Sequence, residues 1–351
     1  MNHHAAILAL ISAALFGLST PAAKGLLGAI HPAMLAGLLY CGAGIGVAIL
    51  RRVARPLLAG KATSEAPLAS HDIPWLAAAI VAGGIAGPLL LMFGLQTTDA
   101  AAASLLLTLE GVATALLAWF VFHESFDRRI ALGMVCLVAG AVILSWSGTP
   151  TLDNVIGPTA IVGACLAWGL DNNLTRKVSL ADPLQIVELK GLVAGPVNIV
   201  IGLWAGAGFP TITPLVLAGV VGFLGYGVSL ALFVYALRHL GTARTGAYFS
   251  TAPFLGAIAA LIFLQEPLTY QLALAGILML VGVWLHLTET HVHEHDHESM
   301  EHTHAHLHDE HHQHEHHPDD PPGEPHTHQH RHEPMRHAHP HTPDMHHTHR
   351  H

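Results

Sequence analysis

"FVFHESFDRRIALGMVCLVAGAVIL" occupies residues 120–144 and "IFLQEPLTYQLALAGILMLVGVWL" occupies residues 262–285. At an offset of 142 residues Glu124 meets Glu266, Ile130-Ala131-Leu132 meets Leu272-Ala273-Leu274, and Gly140 meets Gly282. The openings of the two copies match more loosely. "LFGLSTPAAKG" (15–25) answers "AWGLDNNLTRK" (167–177), and His31-Pro32 answers Asp182-Pro183. The chain is therefore built twice over.

Charged residues make up 11% of the chain and hydrophobic ones 52%, against a soluble norm of about 25% charged. The net charge of −9 resides entirely in residues 291–351, because residues 1–290 hold equal numbers of acidic and basic side chains. A lipid-crossing helix needs about 20 mostly apolar residues. Ten stretches qualify as candidates: 5–23, 32–50, 73–93, 100–120, 130–146, 155–174, 184–205, 213–237, 246–264 and 272–287. The first has small residues near its end, as a cleaved leader would. It also has a counterpart in the second copy and no Lys or Arg before it, so it is read as a span.

Lys and Arg in the short loops set the orientation. With the N-terminus in the cytoplasm, the inner loops hold Arg51, Arg52, Arg55, Lys61, Arg128, Arg129, Arg176, Lys177, Arg238 and Arg244, and the outer loops hold only Lys24. Five spans per copy is an odd number, so the second copy crosses the membrane the other way up. The inversion is written in the charges: "HESFDRR" (123–129) faces inward with two arginines, and "QEPLTYQ" (265–271) faces outward with none. The expected fold class is an all-α membrane protein. Ten transmembrane helices form two inverted five-helix repeats (1–147 and 148–290), followed by a disordered His-rich cytoplasmic tail (291–351). Many secondary transporters are built from such repeats, with substrate bound near the midplane.

Several features resemble the ten-helix exporters of the drug/metabolite transporter superfamily, EamA-like branch. They are the aromatic–Gly pairs Phe16-Gly17 and Trp168-Gly169, the "DPLQ" opening the seventh span, and "STAPFLGAIAALIFLQEPLT" (250–269) with its mid-helix proline and Gln-Glu turn. The resemblance covers about residues 5–287. It implies a transporter fold and leaves the substrate open among amino acids, metabolites, drugs and nucleotide-linked compounds. The chain departs from the family pattern in one place. Where the second copy has Pro253 the first has Gly111, preceded by Glu110.

Glu110 lies near the centre of its span. A charge there costs about 2.5–3.5 kcal/mol even on lenient insertion scales, so the side chain should face the bundle interior, protonated or paired. It is either a proton-coupling or substrate-binding carboxylate, or a neutral acid making one interhelical hydrogen bond. Lys190 either snorkels to the cytoplasmic surface or points inward, where Glu110 would be a counter-ion. Glu188 reads as a solvated end residue. Asp171, Asn172 and Asn173 follow Trp168 and either unwind the sixth span around a cavity or mark its cytoplasmic end. Tyr226 and Tyr248 either line the route or pack. Cys41, Cys136 and Cys165 show no CxxC spacing and read as small buried hydrophobes.

The tail holds 24 of the 31 histidines. The expected metal ligands are His291, His293, His295, His297, His302, His304, His306, His308, His311, His312, His314, His316 and His317. In an extended chain alternate side chains share a side, so such imidazoles can converge on Zn, Ni, Co or Cu. With no apolar face and seven prolines from Pro318 to Pro343, the tail is expected to be disordered without metal. A competing role is pH sensing, since imidazole titrates near pH 6.5.

These features predict an inner-membrane secondary exporter of a small metabolite or amino-acid-like compound, proton-coupled, with both termini cytoplasmic. A transition-metal exporter or metal-regulated carrier is the alternative. No cofactor is required for transport. The expected partners are the lipid bilayer, the substrate, protons, metal ions at the tail and a second copy in a homodimer, with no nucleic acid. No P-loop, nucleotide fingerprint or nucleophile motif suggests an enzyme.

Overall fold

A computed structural model describes residues 3–58, 68–122, 128–146, 152–178, 181–240, 242–287, 291–297, 300–306, 326–332 and 335–341. Each of the ten apolar stretches is helical. The first two stretches are α1 (His3–Leu26) and α2 (Pro32–Leu58). A longer rod follows, made of α3 (Ile73–Ala79), a π-helical turn (Ile80–Ala86) and α4 (Gly87–Thr97). Next come α5 (Ala100–Leu106), α6 (Leu109–Phe122) and α7 (Arg128–Ser145). The second half runs through α8 (Leu152–Arg176), α9 (Pro183–Trp204) and α10 (Ile212–Gly222). A second π turn (Phe223–Val228) leads to α11 (Ser229–Leu240), then α12 (Thr242–Phe249), α13 (Ala252–Phe263) and α14 (Tyr270–Leu287). Among the described residues, seven of these stretches are long and apolar enough to cross a membrane.

Two pairs of irregularities obey the repeat. The π turns at Ile80–Ala86 and Phe223–Val228 fall at matching positions. So do two helix breaks, α5 to α6 at residues 107–108 and α12 to α13 at 250–251. Single unbroken spans were expected at both breaks. In the second half the break follows from Pro253 in the first turn of α13, because proline suits a helix start and disrupts an interior.

Helix packing joins one half to the other. The first helix, α1, lies against α10, α11, α12 and α13, while α8 lies against α3, α4, α5 and α6. Two lobes result, one from α1 with the 210–263 region and one from α8 with α3, α4 and α6, while α5 packs chiefly against α13. Ser12 and Ser229 tie α1 to α11 reciprocally: Ser12 Oγ donates to the Ser229 carbonyl at 2.6 Å and Ser229 Oγ to the Ser12 carbonyl at 2.9 Å. Between the lobes α2 packs along α9. Backbone contact there depends on glycine, since a Cβ on Gly191 would lie 2.5 Å from Gly44. Small residues at helix interfaces allow such approach where lipid removes the hydrophobic drive. Large apolar side chains such as Phe120, Trp204 and Phe263 stay exposed on the periphery, as a lipid-facing surface requires.

The tail corrects an expectation. Residues His291–His297 (β1) pair antiparallel with Met335–His341 (β4), and Met300–His306 (β2) with His326–His332 (β3). Alternation of His with other residues has the strand period of two. A two-stranded ladder leaves every strand an edge, so Pro340 within β4 is tolerated. The register sets His293 opposite His339, His295 opposite His337, His302 opposite His330 and His304 opposite His328. His308, His311, His312, His314, His316 and His317 lie outside the described residues.

Candidate functional site

The first π turn builds the site. An i→i+5 turn frees a backbone carbonyl from the regular ladder, and here the Gly83 carbonyl accepts two side-chain donors, Tyr40 Oη at 2.7 Å and Trp168 Nε1 at 2.9 Å. Glycine at 83 also makes room for a neighbour. A Cβ there would lie 1.9 Å from an Asp171 carboxylate oxygen.

Asp171 is held by three hydrogen bonds from two residues. Lys190 Nζ lies 2.6 Å from each of its oxygens, and Thr175 Oγ1 donates to Oδ1 at 2.8 Å. The ion pair is well covered, with side-chain exposures of 16% for Lys190 and 9% for Asp171. Lys190 thus points inward, and its partner is Asp171 on α8, not Glu110. Sequence could not rank the two acids, because which helix faces meet is a tertiary fact.

Glu110 sits in the first turn of α6, immediately past the helix break. A half-helix N-terminus in mid-bundle carries a partial positive charge that favours a carboxylate. Asn172 Nδ2 donates to Glu110 Oε1 at 2.9 Å and reaches Thr114 Oγ1 at 3.1 Å. Asp171 and Lys190 lie within electrostatic range of Glu110. Asn173 Nδ2 donates to the Gly169 and Thr114 carbonyls at 2.8 and 3.2 Å. The polar run 171–173 does not unwind α8; it stands in the last two turns of the helix, which ends at Arg176. Its side chains face α6 and α9, and Asn172 stays exposed.

Facing this charged group is an aromatic one on the other lobe. Tyr226, in the second π turn, stands 5.8 Å from both Phe16 and Tyr40, and Phe16 is 5.2 Å from Phe249. Tyr40 touches both groups, its hydroxyl on Gly83 and its ring on Tyr226. Among the described contacts none joins Tyr248 to this group; its neighbour Phe249 contributes the ring. Sequence reasoning missed Tyr40, Thr175, Thr114 and Gly83. Tyr40 is one aromatic in an apolar run, and nothing local marks a π turn at 83.

At one end of the bundle, the N-terminal end of α9, Arg51 pairs with Asp182 at 2.8 Å and with Glu188. Glu188 was read as solvated; it is a half-buried ion-pair partner because α2 brings Arg51 alongside. Cys165 is buried as expected, while Cys41 and Cys136 are only half-buried. Among the described residues no three His, Cys, Asp or Glu side chains converge as a metal site.

Comparison with known proteins places this geometry. The sequence profile of the EamA-like transporter family matches residues 3–146 and again 155–288. An uncharacterized transporter of Methanothermobacter thermautotrophicus is 32% identical over 285 residues, covering 77% of this chain and 82% of its own length. An uncharacterized transporter of Bacillus subtilis, YvbV, is 28% identical over 205 residues, covering 54% of this chain and 65% of its own. A solved crystal structure shares the fold at a TM-score of 0.59 and 16% identity, covering 81% of this chain and 95% of the other.

Proposed function

The chain belongs to the EamA-like transporter family of the drug/metabolite transporter superfamily, and we propose that it is a proton-coupled secondary exporter of a small metabolite or amino-acid-like compound. In this reading all ten helical stretches cross the inner membrane as two inverted repeats, with both termini in the cytoplasm. The carrying observation is the cluster of Asp171, Lys190 and Glu110, a paired acid and base beside a second acid, framed by aromatic rings. A substrate with an amine and a carboxylate can replace each member of the Asp171–Lys190 pair in turn. Glu110, held by a neutral amide, exchanges a proton as access alternates. Asn172 then keeps the carboxyl oriented in either protonation state, since its amide donates to one oxygen only.

The test is flux into or out of proteoliposomes holding the full chain, with a panel of labelled amino acids and small metabolites and an imposed proton gradient. Wild type should respond to the gradient. Glu110→Gln should reconstitute as well yet lose the response. Unimpaired gradient-driven flux in Glu110→Gln would reduce Glu110 to a packing residue.

The tail favours a second reading, a metal-regulated carrier or transition-metal exporter, because its register sets histidines opposite one another. Zn, Ni, Co and Cu are the ions such imidazoles suit.

A further inference from the structure

We propose that Lys24 and Glu266 form a latch that closes the transport route at one end of the bundle and must release for access to alternate. The proposal rests on the transporter reading above. The turn joining α4 to α5 is gripped on both sides. Lys24, in the last turn of α1, donates its ammonium to the carbonyls of Leu95 at 2.5 Å, Thr98 at 3.0 Å and Gln96 at 3.4 Å. Glu266, just past α13, accepts from the Ala100 and Ala101 amides at 2.7 and 2.8 Å, one on each carboxylate oxygen.

Each grip uses the charge a helix end offers. Carbonyls left over at the C-terminus of α4 attract a cation, and amides left over at the N-terminus of α5 attract an anion. The Lys24 contact joins the two lobes, since Lys24 belongs with α1 whereas α4 packs chiefly on α8; Glu266 holds the same turn from the α13 side, where α5 itself packs on α13 and α1. Directly beneath the turn, α5 lies against α13 so closely that a Cβ on Gly256 would stand 2.8 Å from Ser104 Oγ. Ser104 is 1% exposed.

Beyond the two helix breaks the lobes part company. There α6 packs on α8, while α12 packs on α1 and α11. The route is thus shut at the 95–101 turn and parted at the other end. By the Lys and Arg distribution the shut end faces outward. The repeat supplies sequence counterparts for both residues in the opposite halves, Glu124 for Glu266 and Arg176 for Lys24.

Labelling by a membrane-impermeant thiol reagent tests the latch without any substrate. In full-length protein lacking its native cysteines, one reporter is Ser104→Cys at the shut end, and the other is Asn172→Cys on the exposed polar face. Lys24→Met and Glu266→Gln should each speed labelling at 104 by about fivefold or more and slow it at 172. Lys24→Arg, which keeps the cation, should restore the wild-type rates. Rates unchanged at both sites would overturn the latch, and so would a rise at both, the mark of loosened packing. Faster labelling at 104 with no flux for any substrate would sink the transporter reading alone; gradient-driven flux with unchanged labelling would sink the latch alone.

Discussion

Asp171 and Lys190 each carry a charge in a place where neither could remain single. Breaking a covered pair leaves one uncompensated charge, a cost of about 3 kcal/mol or more, whereas replacing both partners with neutral groups costs far less. Lys190→Met should therefore lower thermal stability in detergent sharply, and Asp171→Asn combined with Lys190→Met should recover most of it. A double variant as unstable as the worse single one would mean the pair is not the relevant unit. Gly83→Ala makes a second residue-scale test. The added methyl occupies space the Asp171 carboxylate needs, so it should destabilise by about 1–3 kcal/mol and cut flux, while the same change at Gly111, where nothing lies within 4 Å, should be nearly silent. The acids and the lysine could be picked out from sequence alone, because an ionisable group in an apolar run is expensive wherever it sits. Their pairing could not, nor could the half-buried setting of Glu188, since both depend on which helix faces meet.

Helix irregularities do as much as any side chain to shape the site. The first π turn turns one backbone carbonyl toward Tyr40 and Trp168, and the break after α5 sets Glu110 at a half-helix N-terminus. Tyr40→Phe should cost about 1 kcal/mol, since the Gly83 carbonyl keeps Trp168 as a donor. Tyr40→Phe with Trp168→Phe should cost more than the sum of the two singles, because the carbonyl is then orphaned, and thermal unfolding of the three variants reads this directly. Additive losses would show that the carbonyl finds another partner. Neither irregularity was predictable from hydropathy, which averages over a turn of helix. Pro253 could have flagged the second-half break, where an unbroken span was expected, and no proline at Gly111 offered the same signal for the first. In the tail the His-x-His alternation, read as a metal-binding spacing, was equally a strand period; the lack of an apolar face and the seven prolines argued for disorder, and paired backbone bonds outweighed them in the described strands.

Two halves exchange their first helices, α1 packing in the second half's lobe and α8 in the first's. Such an arrangement ties the lobes together, with α2 and α9 packed along each other between them. The tail stands outside that arrangement. Deleting residues 291–351 should leave flux of an organic substrate intact and remove most bound zinc or nickel, measured by metal analysis of the purified protein; loss of all transport would favour the metal reading instead. The ten stretches were legible from apolar length and the two matching halves from the sequence repeat, since composition and period survive even where identity is low. The lobe exchange did not, because a repeat records what is alike and not what touches. One experiment bears on the whole account: labelling of Ser125→Cys and Leu268→Cys by an impermeant thiol reagent in right-side-out and inverted membrane vesicles. Mirrored halves predict that each reporter reacts from a different side of the membrane, and reaction of both from the same side would contradict them.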